Sequence, residues 1–384
     1  MDPRPIYLDY NATTPIAPEV LDAMLPFLRE QFGNPSSSHA YGSAAHEAVD
    51  RARAQVADLL GCQPDEIVFT GAGSEANNLA IKGVAFARRG AGAHLITSAV
   101  EHPAVLTTCR YLVARFGYRL TVLPVDVHGL VDPDDVARAI EAGTVLITIM
   151  HANNEVGTLQ PIDEIAEVAR QHGVTFHTDA AQSVGKVATN VDELGVDLLT
   201  VVGHKLYAPK GIGALYVRSG TQLDSLVHGA GHEGGRRAGT ENVPYMVALG
   251  AACALAGRRL ADGGADRTCA LRDRLHDRLR EGVPGLALNG HPEKRLPNTL
   301  NVSFPGQDGE ELLARTPEIA ASTGSACHAG RTEPSGVLLA MGIDRGRALG
   351  AVRLSLGYQT TADDVEAAAT ALIASARVTV AGGI

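Results

Sequence analysis

Lys205, Asp179 and Cys327 are the residues whose types and settings invite chemistry. Lys205 stands in "TVVGHKLYAPKGIGALYV", after a β-branched apolar run and before a turn rich in proline and glycine. That setting puts its amine at a strand end and not on a solvated helix face. An amine partly withdrawn from water gives up its proton more readily and attacks carbonyls, so Lys205, flanked by His204, is a Schiff-base candidate. Lys210, in the following loop, is the comparison. Cys327 lies in "STGSACHAG", among small residues and between Gly324 and Gly330. Unpaired cysteines are usually buried as small hydrophobes; here the surroundings read as a flexible segment. His328 beside it could lower the thiol pKa.

Asp179 closes "VTFHTDA", where a carboxylate with little water around it needs a cationic partner. A protonated pyridine nitrogen is one such partner; the alternatives are a helix cap or a salt bridge. A lysine for an aldehyde and a carboxylate for a pyridine nitrogen are together what a pyridoxal phosphate site requires. Gln182 could reach the phenolic oxygen of such a ring, and His102 in "EHPAVL" could stack on it. The phosphate has a cradle in "TGAGSEANNLAIKG", a glycine turn from Gly71 to Gly73 followed by Ser74 at a predicted helix start, where backbone N–H groups bind anions.

The elements that must position these residues alternate along the chain. "EIVFT", "HLITSA", "RLTVLPV", "TVLITIM", "VTFHTDA", "DLLTVV" and "GALYV" read as strands too apolar to have a solvated face. Helical patterns lie between them; in "PIDEIAEVARQHG", Ile162, Ile165, Ala166 and Ala169 share a face and Gly173 ends the helix. This order predicts an α/β fold with a mostly parallel mixed sheet covered on both faces and ligands at the strand ends. After residue 256 the texture shifts to an Arg-rich helix, the strands "NTLNVSF" and "AVRLSLG" and a final helix from Asp363. A large domain over 15–256 is therefore expected, with a smaller α+β domain formed by 1–14 and 257–384.

Composition narrows the function. The formal net charge of −10 disfavours direct binding to nucleic acid. The five cysteines, Cys62, Cys109, Cys253, Cys269 and Cys327, lack CxxC spacing and are odd in number, which argues for free thiols over disulfides or zinc. No apolar run spans a membrane, and "MDPRPIYLDY" lacks the order of a signal peptide, so a cytoplasmic location is expected. His228 and His232 are four apart, but the glycines between them point to a loop, not a metal site. Arg236 and Arg237 in "GGRRAG" suggest an interface or a phosphate contact.

In their order and spacing, "YLDYNATTP", "GAGSEANNLAIKG", "EHPAV", "MHANNEVG", "HTDAAQSVGK", "GHKLYAPKGIGALYV", "RRAGTEN", "TGSAC" and "VRLSLG" resemble the cysteine desulfurases, the NifS-like branch of the class V, fold-type I pyridoxal phosphate enzymes. The resemblance implies that Lys205 bonds the cofactor aldehyde, Asp179 pairs with the pyridinium nitrogen, Gln182 meets the phenolic oxygen, and His102 stacks on the ring and shuttles a proton. Gly73, Ser74 and His204 would hold the phosphate, with Thr240 reaching in from the second subunit of a homodimer. Asn153 matches a position at the cofactor and substrate, and Arg353 one that takes the substrate carboxylate by a bidentate pair. Asn34 in "FGNPSS" is a further candidate for that contact. Cys327 matches the catalytic cysteine, which takes sulfur from L-cysteine as a persulfide, with release of L-alanine, and hands it to an acceptor protein, an iron–sulfur scaffold or a nucleic-acid thiolation protein. The likeness extends to desulfurases that feed DNA phosphorothioation, and the short stretch after the last helix suggests a dedicated acceptor. One departure is Val202, where the family commonly has a serine on the phosphate. A class V aminotransferase or selenocysteine lyase, with Cys327 incidental, is the second enzymatic reading, and a non-catalytic scaffold of the same fold is the third.

Overall fold

The computed structural model of the chain describes residues 4–323 and 333–378. After a two-residue strand, β1 (Ile6–Tyr7), seven strands build the main sheet: β2 (Ile67–Thr70), β3 (His94–Ser98), β4 (Arg119–Leu123), β5 (Thr144–Thr148), β6 (Thr175–Asp179), β7 (Leu198–Val202) and β8 (Gly213–Val217). Their order across the sheet is β2-β8-β7-β6-β5-β3-β4. β8 runs antiparallel to both neighbours, and the other adjacent pairs are parallel. The seven apolar runs are thus the seven strands of a mostly parallel mixed sheet.

Burial explains why those runs were legible. Every residue of β2, β3, β5, β6, β7 and β8 is buried, as strands covered by helices on both faces require. Successive side chains alternate between two cores: Phe69, Ile96 and Leu199 face one, and Val68, Leu95 and Leu198 the other. At the sheet edge, β4 leaves Arg119 and Val122 exposed. The helix Ile162–Gln171 buries Ile162, Ile165, Ala166 and Ala169, and Gly173, at φ +64°, adopts the left-handed turn that ends it.

A second, antiparallel sheet of β9 (Ala287–Asn289), β10 (Thr299–Ser303) and β12 (Ala351–Ser355) runs in the order β12-β10-β9, while β11 (Ile319–Ala320) pairs in parallel with β1. Its core draws Leu8 from the start of the chain to Leu275, Leu300, Leu354 and Leu372 near the end. Residues 9–14 then cross to the carboxyl ends of the main strands, where the Thr14 N–H donates to the His204 carbonyl at 2.9 Å. None of the described helices is long and apolar enough to cross a membrane.

Candidate active site

Parallel strands bring their carboxyl ends, and whatever follows them, to one edge of the sheet. Asp179 is the last residue of β6, and Lys205 ends the short turn Gly203–Lys205 after β7. His102 caps the helix Pro103–Phe116 that follows β3, and Gly73 opens the helix Gly73–Ala87 that follows β2. These four line one cavity of about 280 Å³, together with Ser74, Gln182, His204 and Arg353. A larger surface depression of about 700 Å³, around Arg88, Thr175 and Asp197, lies toward the opposite strand ends and holds none of these residues.

Asp179 is 4% exposed. Its Oδ2 accepts from Asn77 Nδ2 at 2.7 Å and its Oδ1 from the Ala181 N–H at 3.0 Å. Both donors are neutral, so a buried carboxylate is oriented into the cavity without a bonded cation among the described residues. Across from it, Lys205 Nζ donates to the carbonyls of Asn11 and Ala12, each at 2.6 Å. Burial pushes this amine down to about 8; Arg353 and, more weakly, Lys210 act in the same direction, and Asp9 and Asp179 oppose them. Desolvation also lowers the pKa of His102, against the pull of Asp179. The His102 Nδ1 accepts from the Ala104 N–H at 3.1 Å, which leaves the neutral ring's proton on Nε2. His204 is pushed down to about 4 by burial and by the two nearby lysines, and its Nδ1 lies 3.2 Å from Thr13 Oγ1.

The far end of the cavity is built for an anion. The helix Gly73–Ala87 has Ala72 at its N-cap and no side-chain cap, so its first N–H groups remain for a ligand. A Cβ on Gly73 would sit 2.3 Å from Val202 Cγ2, so only glycine lets the backbone approach here. Anion donors, an unpaired carboxylate and an amine of lowered pKa lining one cavity fit pyridoxal phosphate.

Arg353, on β12, faces the same cavity from the second sheet. Its Nη2 donates to Asp9 Oδ1 at 2.7 Å and its Nη1 to the Asn154 carbonyl at 3.1 Å, while Nε, also buried, has no partner. The Arg353 N–H donates to the Ser322 carbonyl at 2.7 Å, and Ser322 Oγ donates to Asp9 at 3.2 Å. Ser335 bonds Glu155, one residue from Asn154. The chain therefore enters and leaves the Cys327 segment beside the cavity; Cys327 and His328 themselves lie outside the described residues. The remaining cysteines are poor nucleophiles: burial pushes Cys62 and Cys109 up to about 12 and raises Cys253 and Cys269.

Residues 6–368 match the family model described as aminotransferase class-V. The chain is 48% identical over 364 residues to the cysteine desulfurase IscS of Dictyoglomus turgidum, covering 94% of this chain and 92% of that relative. It belongs to the class-V aminotransferases, in the cysteine desulfurase branch. A solved NifS-like protein superposes with a TM-score of 0.90 at 35% identity, covering 98% of this chain and 99% of that one. The structure of SspA in complex with cysteine does so with 0.80 at 40% identity, covering 92% and 99%. Pyridoxal 5′-phosphate is the cofactor of this family, and desulfuration of cysteine is the activity of this branch.

Two residues that the desulfurase resemblance put at the site, Asn153 and Asn34, stand apart from the cavity, and Thr240, expected from a second subunit, does not line it. Asn153 is fully buried and its side chain is spent on its own loop: Nδ2 donates to the Val100 carbonyl, and Oδ1 accepts from the Glu155 and Val156 N–H groups. Its neighbour Asn154 lines the cavity in its place. Asn34 is exposed, with Oδ1 accepting from the Ser36 N–H, and Thr240 is exposed on a loop away from this chain's own cavity. Arg237 pairs with Glu75 at 2.8 Å and Arg236 bonds the carbonyls of Glu233 and Asp65, so both arginines serve internal contacts. Asn11, Asn77 and Asp9, which sequence reasoning passed over, hold Lys205, Asp179 and Arg353 in place.

Proposed function

We propose that this desulfurase moves the sulfur of L-cysteine onto Cys327 as a persulfide, releases L-alanine, and passes the terminal sulfur to an acceptor protein of the iron–sulfur scaffold or thiolation class. A second copy of the chain would bring Thr240 to the phosphate end of the cavity. The observation that carries the reading is the pairing of Lys205 and Asp179 in one cavity that ends at an uncapped helix N-terminus. A relative whose solved structure is in complex with cysteine supports the choice of substrate. Four unpaired thiols among the described residues favour a reducing, cytoplasmic setting.

Bound pyridoxal phosphate supplies a protonated ring that draws electron density from the Cα of an attached amino acid. The remaining work falls to the chain. Asp179 keeps the ring nitrogen protonated, and Asn77 holds the carboxylate in that orientation. Arg353, in the cavity wall, receives the substrate carboxylate. Lys205, with its amine near 8, can take the Cα proton and return it near neutral pH. The Cys327 thiolate attacks the substrate sulfur: an S–S bond forms, the Cβ–S bond breaks, and its electron pair stays on Cβ. A proton delivered to that carbon, with the His102 Nε2–H as the proposed donor, completes the methyl group of alanine. Redox balance closes within the substrate and the thiol, without an outside oxidant.

The test is release of alanine and sulfide from L-cysteine under a reductant, for the wild type and Cys327→Ser. Turnover by the wild type, and loss of release in a variant that keeps the cofactor's visible band, is the expected result. Equal release by both would mean that Cys327 is incidental, as in the aminotransferase or lyase reading.

A further inference from the structure

Lys186 lies in the turn after β6, four residues past Gln182. Its Nζ donates to Gln182 Oε1 at 2.8 Å and to Asn11 Oδ1 at 3.3 Å. Gln182 uses its other end as a donor: Nε2 reaches the Asn11 carbonyl at 3.0 Å, the same carbonyl that accepts from Lys205 Nζ. A side-chain amide can present either end to a cavity, and what bonds the opposite end decides which. An ammonium only donates, so Lys186 can hold only Oε1, and the N–H end of Gln182 is left to face the site.

The charge on Lys186 calls for a reason as well. Its bonded partners are neutral amide oxygens, and no carboxylate pairs with it among the described residues. Lys205 and Arg353 oppose it with like charge and, after burial itself, push its pKa down to about 7. In the cofactor-free chain that cation is therefore weakly held, and an anion on the far side of Gln182 would retain it.

We infer that Lys186 is a positioning residue, which locks the Gln182 amide with its N–H toward the phenolic oxygen of the cofactor and polarises that amide so that the oxygen is favoured as an anion. This rests on the proposed placement of Gln182 at that oxygen. Lys186 touches neither substrate nor cofactor; it acts through Gln182.

The experiment is a pH titration of the holoenzyme's visible absorption for the wild type, Lys186→Met, Lys186→Arg, Gln182→Ala and the double variant Lys186→Met/Gln182→Ala. Removing the cation should raise the midpoint by roughly one pH unit, a tenfold change in the ionisation constant. Lys186→Arg should restore the wild-type midpoint, and the double variant should match Gln182→Ala alone. A shift in Gln182→Ala with none in Lys186→Met overturns the inference and leaves the Gln182 placement standing. No shift in Gln182→Ala overturns that placement itself. Additive shifts in the double variant overturn action through Gln182. If Lys186→Met does not retain the cofactor, Lys186→Gln takes its place; an upward shift supports the inference and an unchanged midpoint overturns it.

Discussion

Val202→Ser should do two opposite things to this protein. Val202 ends β7, is 8% exposed, and sets Cγ2 against the backbone of Gly73 at the helix N-terminus where an anion would bind. A serine there replaces apolar packing with a hydroxyl aimed at the phosphate end of the cavity. Losing the two methyl groups costs roughly 1–2 kcal/mol of stability in the cofactor-free chain. A hydroxyl donating to an anionic phosphate contributes about 1.5–3 kcal/mol when the cofactor is bound. Even the lower figure tightens binding by about tenfold. Equilibrium dialysis of pyridoxal phosphate, with thermal unfolding of both forms, separates the effects: the free chain should melt lower and the dissociation constant should fall. A dissociation constant that stays the same or rises, in a folded variant, would refute the claim that Val202 faces the phosphate.

Asp179→Asn removes the charge proposed to hold the ring protonated but keeps the shape, so turnover should drop at least about a hundredfold while circular dichroism is unchanged. Arg353→Lys gives up the fork that meets Asp9 and, on the proposed reading, the substrate carboxylate, and the KM for L-cysteine should rise roughly tenfold, more than kcat falls. Lys205 and Lys186 sit at about 8 and about 7 in the folded cofactor-free chain, below the ordinary lysine value of about 10.4 in the unfolded chain. Between those values the unfolded chain binds more protons, so the penalty for burying each ammonium fades as pH rises and stability increases. Melting curves of the cofactor-free chain should move upward between about pH 7 and 9, and less so in Lys205→Met; a flat or falling profile in that window contradicts the assignment.

Strand positions were legible because six of the seven main strands are buried on both faces, and an apolar run ended by a polar residue marks where a parallel strand meets its ligand. Lys205 and Asp179 could be placed by that rule alone. Their supports could not. Asn77 sits on a helix, where an inward polar side chain looks like any solvated one until its partner, 102 residues away, is known. Asp9 and Arg353 meet across 344 residues because β1 and β12 belong to the same end unit, and no local pattern records that pairing. Asn153 and Asn154 are consecutive, and which of them faces the cavity is decided by the turn in which Asn153 bonds its own backbone. Lys186 read as part of a motif, whereas its meaning comes from the amide it holds.

The central claim is that sulfur leaves L-cysteine onto Cys327. The direct test is to mix the holoenzyme with a stoichiometric amount of L-cysteine, quench with an alkylating agent, and map the modified thiols by mass spectrometry alongside the alanine formed. The account predicts one extra sulfur on Cys327 for each alanine released, and none on Cys62, Cys109, Cys253 or Cys269. Alanine formed without sulfur on Cys327, or sulfur on one of the other four, would contradict it.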